Sequence, residues 1–312
     1  MTATWNVFNR YTGRVEAEPI YGENWLRWAY ERRLGQLATR ALASRLLFST
    51  FYGWRMRRRS TVRQIEPFAR QYQIDLAEAA DPVSAYRHFN DFFVRRLRPE
   101  ARPLPEDAEA VVFPSDGRHF LLRDLGKGPT LWAKNEPFSV ETLLGPLAFG
   151  ADPGLFDGDA VISRLAPIDY HRFHFPWPGR VLAQATLGGP LFSVHPLALR
   201  LSIRFLLSNK RTVSILEEAR VGRWAMVEIG ATAVGSIRQT HPPETPAERG
   251  AEKGYFAFGG SCVITLWPQG TVEFAPDLVK ASGEGVELYA RMGDVMGRCC
   301  APLAATASTP AP

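Results

Sequence analysis

Apolar residues recur at helical spacing through the first hundred positions of the chain. Trp25, Trp28, Leu34, Leu37 and Ala41 form one stripe. Val62, Ile65, Phe68, Ala69 and Tyr72 form a second, with Ser60 as its candidate N-cap. Tyr86, Phe89, Phe92 and Phe93 continue the i, i+3, i+4 pattern over 83–97, until Pro99, Pro103 and Pro105 end it. Beyond that point short β-branched runs stand between glycines and prolines, at 110–113, 160–165, 180–187, 212–217, 223–229, 262–267 and 271–275. Trp224, Met226 and Glu228 there alternate with Ala225, Val227 and Ile229, as on a strand with two different faces. One short helix is predicted over 139–144. The polar, proline-bearing stretch 239–253 reads as an exposed loop, and the Ala/Pro/Thr tail 301–312 as disordered. The pattern predicts an α+β fold, an N-terminal helical region (1–105) packed on a mainly antiparallel β core (106–300).

Charge changes this picture at one place. The net charge of the 312-residue chain is +5, yet 24–59 holds nine arginines and one acidic residue, Glu31. That segment alone carries +8, so the remainder sums to −3. Trp25, Trp28, Tyr30, Phe48, Phe51, Tyr52 and Trp54 lie among the arginines. Amphipathic rings beside cations suit an anionic membrane surface, although a basic helix pair with solvated arginines has the same composition. No nucleic-acid motif accompanies the patch, so nucleic acid is not the expected partner. No run of 18 uncharged apolar residues exists to span a bilayer, and residues 1–14 lack the apolar core of a secretory signal. The expectation is a peripheral protein at the cytoplasmic face of the cell membrane. Cys262, Cys299 and Cys300 form neither spaced pairs nor a C-x-x-C, so neither a disulfide framework nor a metal site is expected.

Four stretches carry candidate chemistry. Pro114-Ser115-Asp116-Gly117-Arg118 follows an apolar run and alone reads as a turn. Asp169-Tyr170-His171-Arg172-Phe173-His174 sets two histidines three apart among aromatics, suited to proton transfer or merely packed in a core. On a regular strand such residues point to opposite faces, so a shared pocket requires an irregular backbone, which Pro167, Pro176 and Pro178 make plausible. Phe258-Gly259-Gly260-Ser261-Cys262 opens a strand, and its glycines leave the Gly260 carbonyl accessible to an attacking group. It is not the G-x-S-x-G elbow of hydrolases, because Val263 stands where the last glycine belongs. Phe89-Asn90-Asp91-Phe92-Phe93 leads into a basic linker running to Arg102.

Taken in order, these stretches resemble the phosphatidylserine decarboxylase family. The resemblance extends from Asn9-Arg10-Tyr11-Thr12-Gly13, through 229–237, to Met292-Gly293-Asp294. One departure is Cys262, where many members carry Thr or Ser after the processed serine. The resemblance implies a self-processing enzyme whose covalent pyruvoyl cofactor forms from Ser261 when the chain breaks between Gly260 and Ser261, with no metal. It implies that Asp116 orients His174, that His174 takes the Ser261 proton, and that His171 serves as proton donor in turnover. It further implies phosphatidylserine as substrate and phosphatidylethanolamine plus carbon dioxide as products. The pieces 1–260 and 261–312 would stay associated, as a homodimer of such pairs. A pyruvoyl decarboxylase of a soluble amino acid and a non-enzymatic lipid-binding homologue are the alternatives. The basic aromatic segment and the intact Gly260-Ser261 pair respectively argue against them.

Overall fold

The computed structural model of the chain describes residues 5–18, 28, 54–129, 136–231, 236–242, 245–257 and 259–300. Most of the basic aromatic segment, the helical stripe at 25–41 and the tail at 301–312 lie outside the described residues.

Among the described residues the fold is α+β, built on fifteen strands. They are β1 (Asn6–Asn9), β2 (Arg14–Ala17), β3 (Ala110–Val112), β4 (Gly117–Leu122), β5 (Asp159–Leu165), β6 (Arg172–His174), β7 (Arg180–Leu187) and β8 (Arg211–Glu218). β9 (Gly222–Gly230), β10 (Ile237–Gln239), β11 (Glu252–Phe256), β12 (Ser261–Trp267), β13 (Val272–Phe274), β14 (Glu287–Ala290) and β15 (Val295–Cys299) follow. Nine of them make one sheet in the order β2-β1-β14-β4-β5-β12-β9-β8-β7. Two three-stranded sheets, β10-β11-β6 and β13-β15-β3, complete the core. Every pairing is antiparallel except β1 with β14.

All seven runs predicted as strands are strands, and the predicted short helix is Val140–Leu144, capped by the Ser139 side chain accepting from the Thr142 amide. Several central strands are buried on both faces, so they read as continuous apolar runs: β5 and β12 are buried at every position. The large sheet separates two apolar cores. Val161, Trp224, Val263 and Trp267 belong to one, and Ile162, Val227, Ile264 and Leu266 to the other.

The N-terminal expectation needs correction. The chain does not open with helix: β1 and β2 form a hairpin at the edge of the large sheet, secured by β1 running parallel to β14. Four-residue strands are too short to announce themselves by periodicity. Helices do follow, at Ile65–Gln71 and Phe89–Phe93, but the helix expected over 83–97 is broken into a 3-10 turn at Val83–Ala85 and that five-residue segment. His88 rather than a small polar residue caps it, its Nδ1 accepting the Asp91 amide at 3.1 Å. Ser60 is not a cap either; it lies inside the 3-10 turn Arg59–Gln64. Ile65, Tyr86, Phe89, Phe92 and Phe93 form a small aromatic core of their own.

An ionic lattice ties the hairpin to the sheet. Arg118 on β4 and Arg164 on β5 face each other directly across the strands, a repulsive pairing on its own. Glu18, just past β2, offsets it by reaching Arg118 at 3.0 Å and Arg164 at 2.7 Å. Glu287 of β14 holds Arg164 through two bonds of 3.0 and 2.7 Å and accepts the Trp5 indole N–H at 2.7 Å. Asp169 takes the remaining side of Arg118. Burial pushes the Glu18 pKa up, but Arg164 and Arg118 outweigh it and bring it down to about 2.

Removing one member leaves a buried charge uncompensated, which costs about 3–5 kcal/mol. Glu287→Leu is therefore expected to lower the urea-unfolding free energy by about that amount. A loss below 1 kcal/mol on the order of a surface pair would show the lattice to be solvent-relieved.

Candidate active site

Ser261 is the first residue of β12, paired with Leu165 of β5 on one side and Gly230 of β9 on the other. Alternation along the strand sends its side chain to the same face as Val263 and Trp267. The residue is fully buried, and its Oγ lies 3.3 Å from Nδ1 of His171. The other ring nitrogen, Nε2, is 2.9 Å from the Ala166 carbonyl. A carbonyl only accepts, so Nε2 carries the proton and Nδ1 turns a lone pair toward the serine hydroxyl. Phe93 stacks on the ring at 4.0 Å between centroids and fixes its plane. Burial, helped by Arg95 and Arg118 and opposed by the Ala166 hydrogen bond, pushes the His171 pKa down to about 3. The ring is neutral at physiological pH.

Immediately upstream the backbone opens. Gly259 sits at φ +131°, a conformation side-chain-bearing residues rarely adopt. Among the described residues nothing lies within 4 Å of the point where a Gly260 Cβ would stand, and Gly260 itself is partly exposed. The Gly260–Ser261 bond thus joins a partly exposed glycine to a buried nucleophile with a base at its oxygen. That is the arrangement an intramolecular acyl shift requires.

The expectation that His171 and His174 share this pocket does not hold. His171 lies in the loop just before β6 and His174 is the last residue of that strand, and the two rings take different partners. His174 donates from Nδ1 to the Gly250 carbonyl at 2.9 Å, and its Nε2 meets the Tyr170 hydroxyl at 3.1 Å. Nor does Asp116 orient His174. Its carboxylate is gripped by Arg102 through bonds of 2.8 and 2.5 Å and accepts the Met292 amide at 2.9 Å. Gly117 sets that position: a Cβ there would come within 2.5 Å of the Arg164 carbonyl, so only glycine lets β4 pass β5 so closely.

Three participants were not visible as such in the sequence. Arg102, read as the end of a basic linker, is the partner of Asp116. Phe93, read as helix packing, is the platform of His171. A second buried serine–histidine contact, His119 Nδ1 to Ser163 Oγ at 2.9 Å, links β4 and β5 near the same core. Burial also pushes the His119 pKa down to about 3. Among the described residues no group of three or more His, Cys, Asp or Glu could hold a metal ion.

Comparison with known proteins finds one family. The family model described as phosphatidylserine decarboxylase matches residues 89–298. The chain is 41% identical over 294 residues to the phosphatidylserine decarboxylase proenzyme of Chlamydia trachomatis serovar L2, covering 93% of this chain and 96% of that one. It is 40% identical over 291 residues to the proenzyme of Chlamydia pneumoniae, covering 93% and 96%. To that of Desulfitobacterium hafniense it is 33% identical over 294 residues, covering 93% and 97%.

The buried histidines give a pH dependence with a definite sign. A histidine whose folded pKa is depressed favours folding fully above its unfolded value, about 6.5, and that advantage shrinks as pH falls toward the folded value. His119 and His171 each take up a proton on unfolding in that window, worth about 1.4 kcal/mol per pH unit apiece. Unfolding free energy should therefore drop steeply from pH 6.5 to pH 4. In His119→Gln the slope should flatten by about one proton's worth. An unchanged slope in that variant would mean the ring is already charged in the folded chain.

Proposed function

The chain belongs to the phosphatidylserine decarboxylase family, and on that premise we propose that it breaks itself at Gly260–Ser261 and then decarboxylates phosphatidylserine at the new end. The observation that carries this reading is the Ser261–His171 contact beside an open Gly260.

The Ser261 hydroxyl attacks the Gly260 carbonyl carbon. The new O–C bond replaces the C–N bond, and the hydroxyl proton passes to the departing amine, with His171 Nδ1 placed to take it. Loss of the Ser261 α-proton then expels the Gly260 carboxylate. The dehydroalanine left behind takes up one water and releases ammonia, which leaves a pyruvoyl end on residue 261. A histidine of such low basicity is a slow base, which suits a reaction each chain performs once.

The residues present fit that group, since position 261 is enclosed by strand pairing and faced by a neutral imidazole. When formed, the group supplies a carbonyl that accepts the electron pair left by departing carbon dioxide. The chain's own residues bind the substrate, exclude water and hold a proton for the product carbon, and His171 is the group nearest to do the last. The family resemblance assigns the cleavage proton to His174, whose ring would have to leave Gly250 and Tyr170 to reach Ser261.

The two pieces should stay together. Residues 261–312 contribute β12 between β5 and β9, β14 between β1 and β4, and β15 between β13 and β3. Membrane contact is supported by Arg55, Arg57, Arg58 and Arg59, all exposed, with Arg58 stacked 3.9 Å over a half-exposed Trp54. No described helix is long and apolar enough to cross a membrane, so docking at the cytoplasmic face would be peripheral.

Intact-mass analysis of the purified protein should find 1–260 and a pyruvoyl-ended 261–312, copurifying until denatured, and Ser261→Ala should remain whole and inactive. An active full-length chain would overturn the mechanism. His171→Ala should lose about 100- to 10,000-fold in carbon dioxide release. On the same gels, normal processing of His174→Ala leaves cleavage to His171, whereas an uncleaved His174→Ala chain moves that role to His174.

Binding to anionic vesicles should weaken with salt, and each of the four arginines is worth on the order of 1 kcal/mol near the surface. Replacing Arg55, Arg57, Arg58 and Arg59 together with glutamine should abolish most of the salt-sensitive part. Equal binding at low and high salt would refute an electrostatic attachment.

A further inference from the structure

A cavity of about 350 Å³ lies behind the loop that carries His171, with Ile168, Asp169 and Tyr170 in its wall. His171, the next residue, is not part of that wall and contacts Ser261. Four arginines line the cavity: Arg95, Arg102, Arg118 and Arg291. Three of them are neutralised in place. Arg102 is paired with Asp116 and Glu78, Arg118 with Glu18 and Asp169, and Arg291 with Glu78. Among the described residues Arg95 has no carboxylate in ion-pair reach, although it is only 7% exposed. Its guanidinium makes one long hydrogen bond, 3.4 Å to the Phe92 carbonyl, and rests 4.7 Å over the Phe92 ring.

A buried guanidinium stays charged, and leaving one without an anion is costly. Burial indeed pulls the Arg95 pKa below the usual arginine range, opposed by Asp116, Tyr86 and Glu78. The carboxylates in the same wall are otherwise engaged, and Glu16 and Asp75 stand exposed at its rim. The geometry points to Arg95 as the residue that receives the phosphodiester of the lipid headgroup, in a cavity walled by the loop that ends at His171 and close enough for its charge to act on that ring. This inference rests on the decarboxylase reading above and adds its headgroup site.

Why the phosphodiester and not the serine carboxylate follows from the chemistry. The carboxylate leaves as neutral carbon dioxide, so a cation holding it stabilises the ground state more than the transition state and slows the reaction. The phosphodiester keeps its charge throughout. A guanidinium on it binds ground and transition states alike, and its loss should appear in KM and not in kcat. Phe92 and Phe93 place the two functions side by side, since Phe92 supports Arg95 while Phe93 stacks on His171.

The test uses processed wild type, Arg95→Gln and Arg95→Lys with phosphatidylserine in mixed micelles. Wild-type turnover is the control: no cleavage and no carbon dioxide from wild type sinks the decarboxylase reading itself. With an active wild type, Arg95→Gln should process normally, raise KM by about 30-fold or more and change kcat little, and Arg95→Lys should recover part of the loss. An unchanged KM in Arg95→Gln, or a fall in kcat alone, overturns the assignment. Should Arg95→Gln remain uncleaved, competition against wild type decides. Glycerophosphoethanolamine should inhibit at least tenfold more tightly than ethanolamine, and Arg95→Lys should narrow that gap. Equal inhibition by the two compounds, or a gap that Arg95→Lys leaves intact, refutes a phosphodiester at Arg95.

Discussion

The pairing of β12 with β5 on one side and β9 on the other is the constraint on which the rest depends. It buries the strand completely, fixes which residues face which core, and holds Ser261 at the last ladder position before the chain emerges. A one-residue slip would exchange Ser261 with Cys262 and send the hydroxyl into the core lined by Ile162 and Ile264, away from His171. The same register places Val263 opposite Glu228, whose carboxylate is buried and paired with Lys253 at 2.8 Å. A break just upstream of Ser261 would cost the ladder nothing that β12 itself contributes, because Gly260 lies outside it.

Around that strand the two facing arginines are each answered by carboxylates. Arg118 and Arg164 face each other in the sheet, and they are tolerated because Glu18, Glu287 and Asp169 arrive from three separate parts of the chain. Such a lattice adds little net stability over an apolar packing, since desolvation offsets most of its attraction. What it does supply is uniqueness: only one placement of the hairpin and of β14 satisfies both arginines. One edge of the lattice, Asp169, is also two residues from His171, and its carboxylate accepts the Ala166 amide, whose own carbonyl fixes the His171 ring. Fold and site are therefore coupled through a single short loop.

Much of this was legible in the sequence, and the part that was not shares a physical cause. Strands such as β8, β9 and β12 announced themselves because burial demands apolar runs there, and the half-exposed β7 by its length. β1, β2, β6 and β10 are three or four residues long and carry no period to read. β4 was hidden for another reason: Arg118 and His119 interrupt its apolar pattern, and they are buried only because partners distant in sequence satisfy them. The site divided in the same way. Ser261, His171, His174 and Asp116 could be picked out by residue type and order, yet which histidine touches the serine depends on how the loop before β6 packs against β12. Arg102 and Arg95 looked alike in a basic linker, and only the fold shows that one is paired and the other is not.

The different partners of the two histidines also bear on how one fold could serve two reactions. With His171 set before β6 against Ser261 and His174 held by Gly250 and Tyr170, a relay through both rings would require His174 to give up those bonds. A single ring at residue 261 avoids that demand. His171 contacts the serine oxygen in the intact chain and would remain beside whatever group replaces that serine, because Phe93 and the Ala166 carbonyl hold its plane and tautomer independently of Ser261. Its low basicity is no obstacle once catalysis requires a proton delivered to a carbon: a weakly basic imidazole is, once protonated, a strong acid. Burial thus sets a neutral ring that gives up a captured proton readily, held against the first residue of β12.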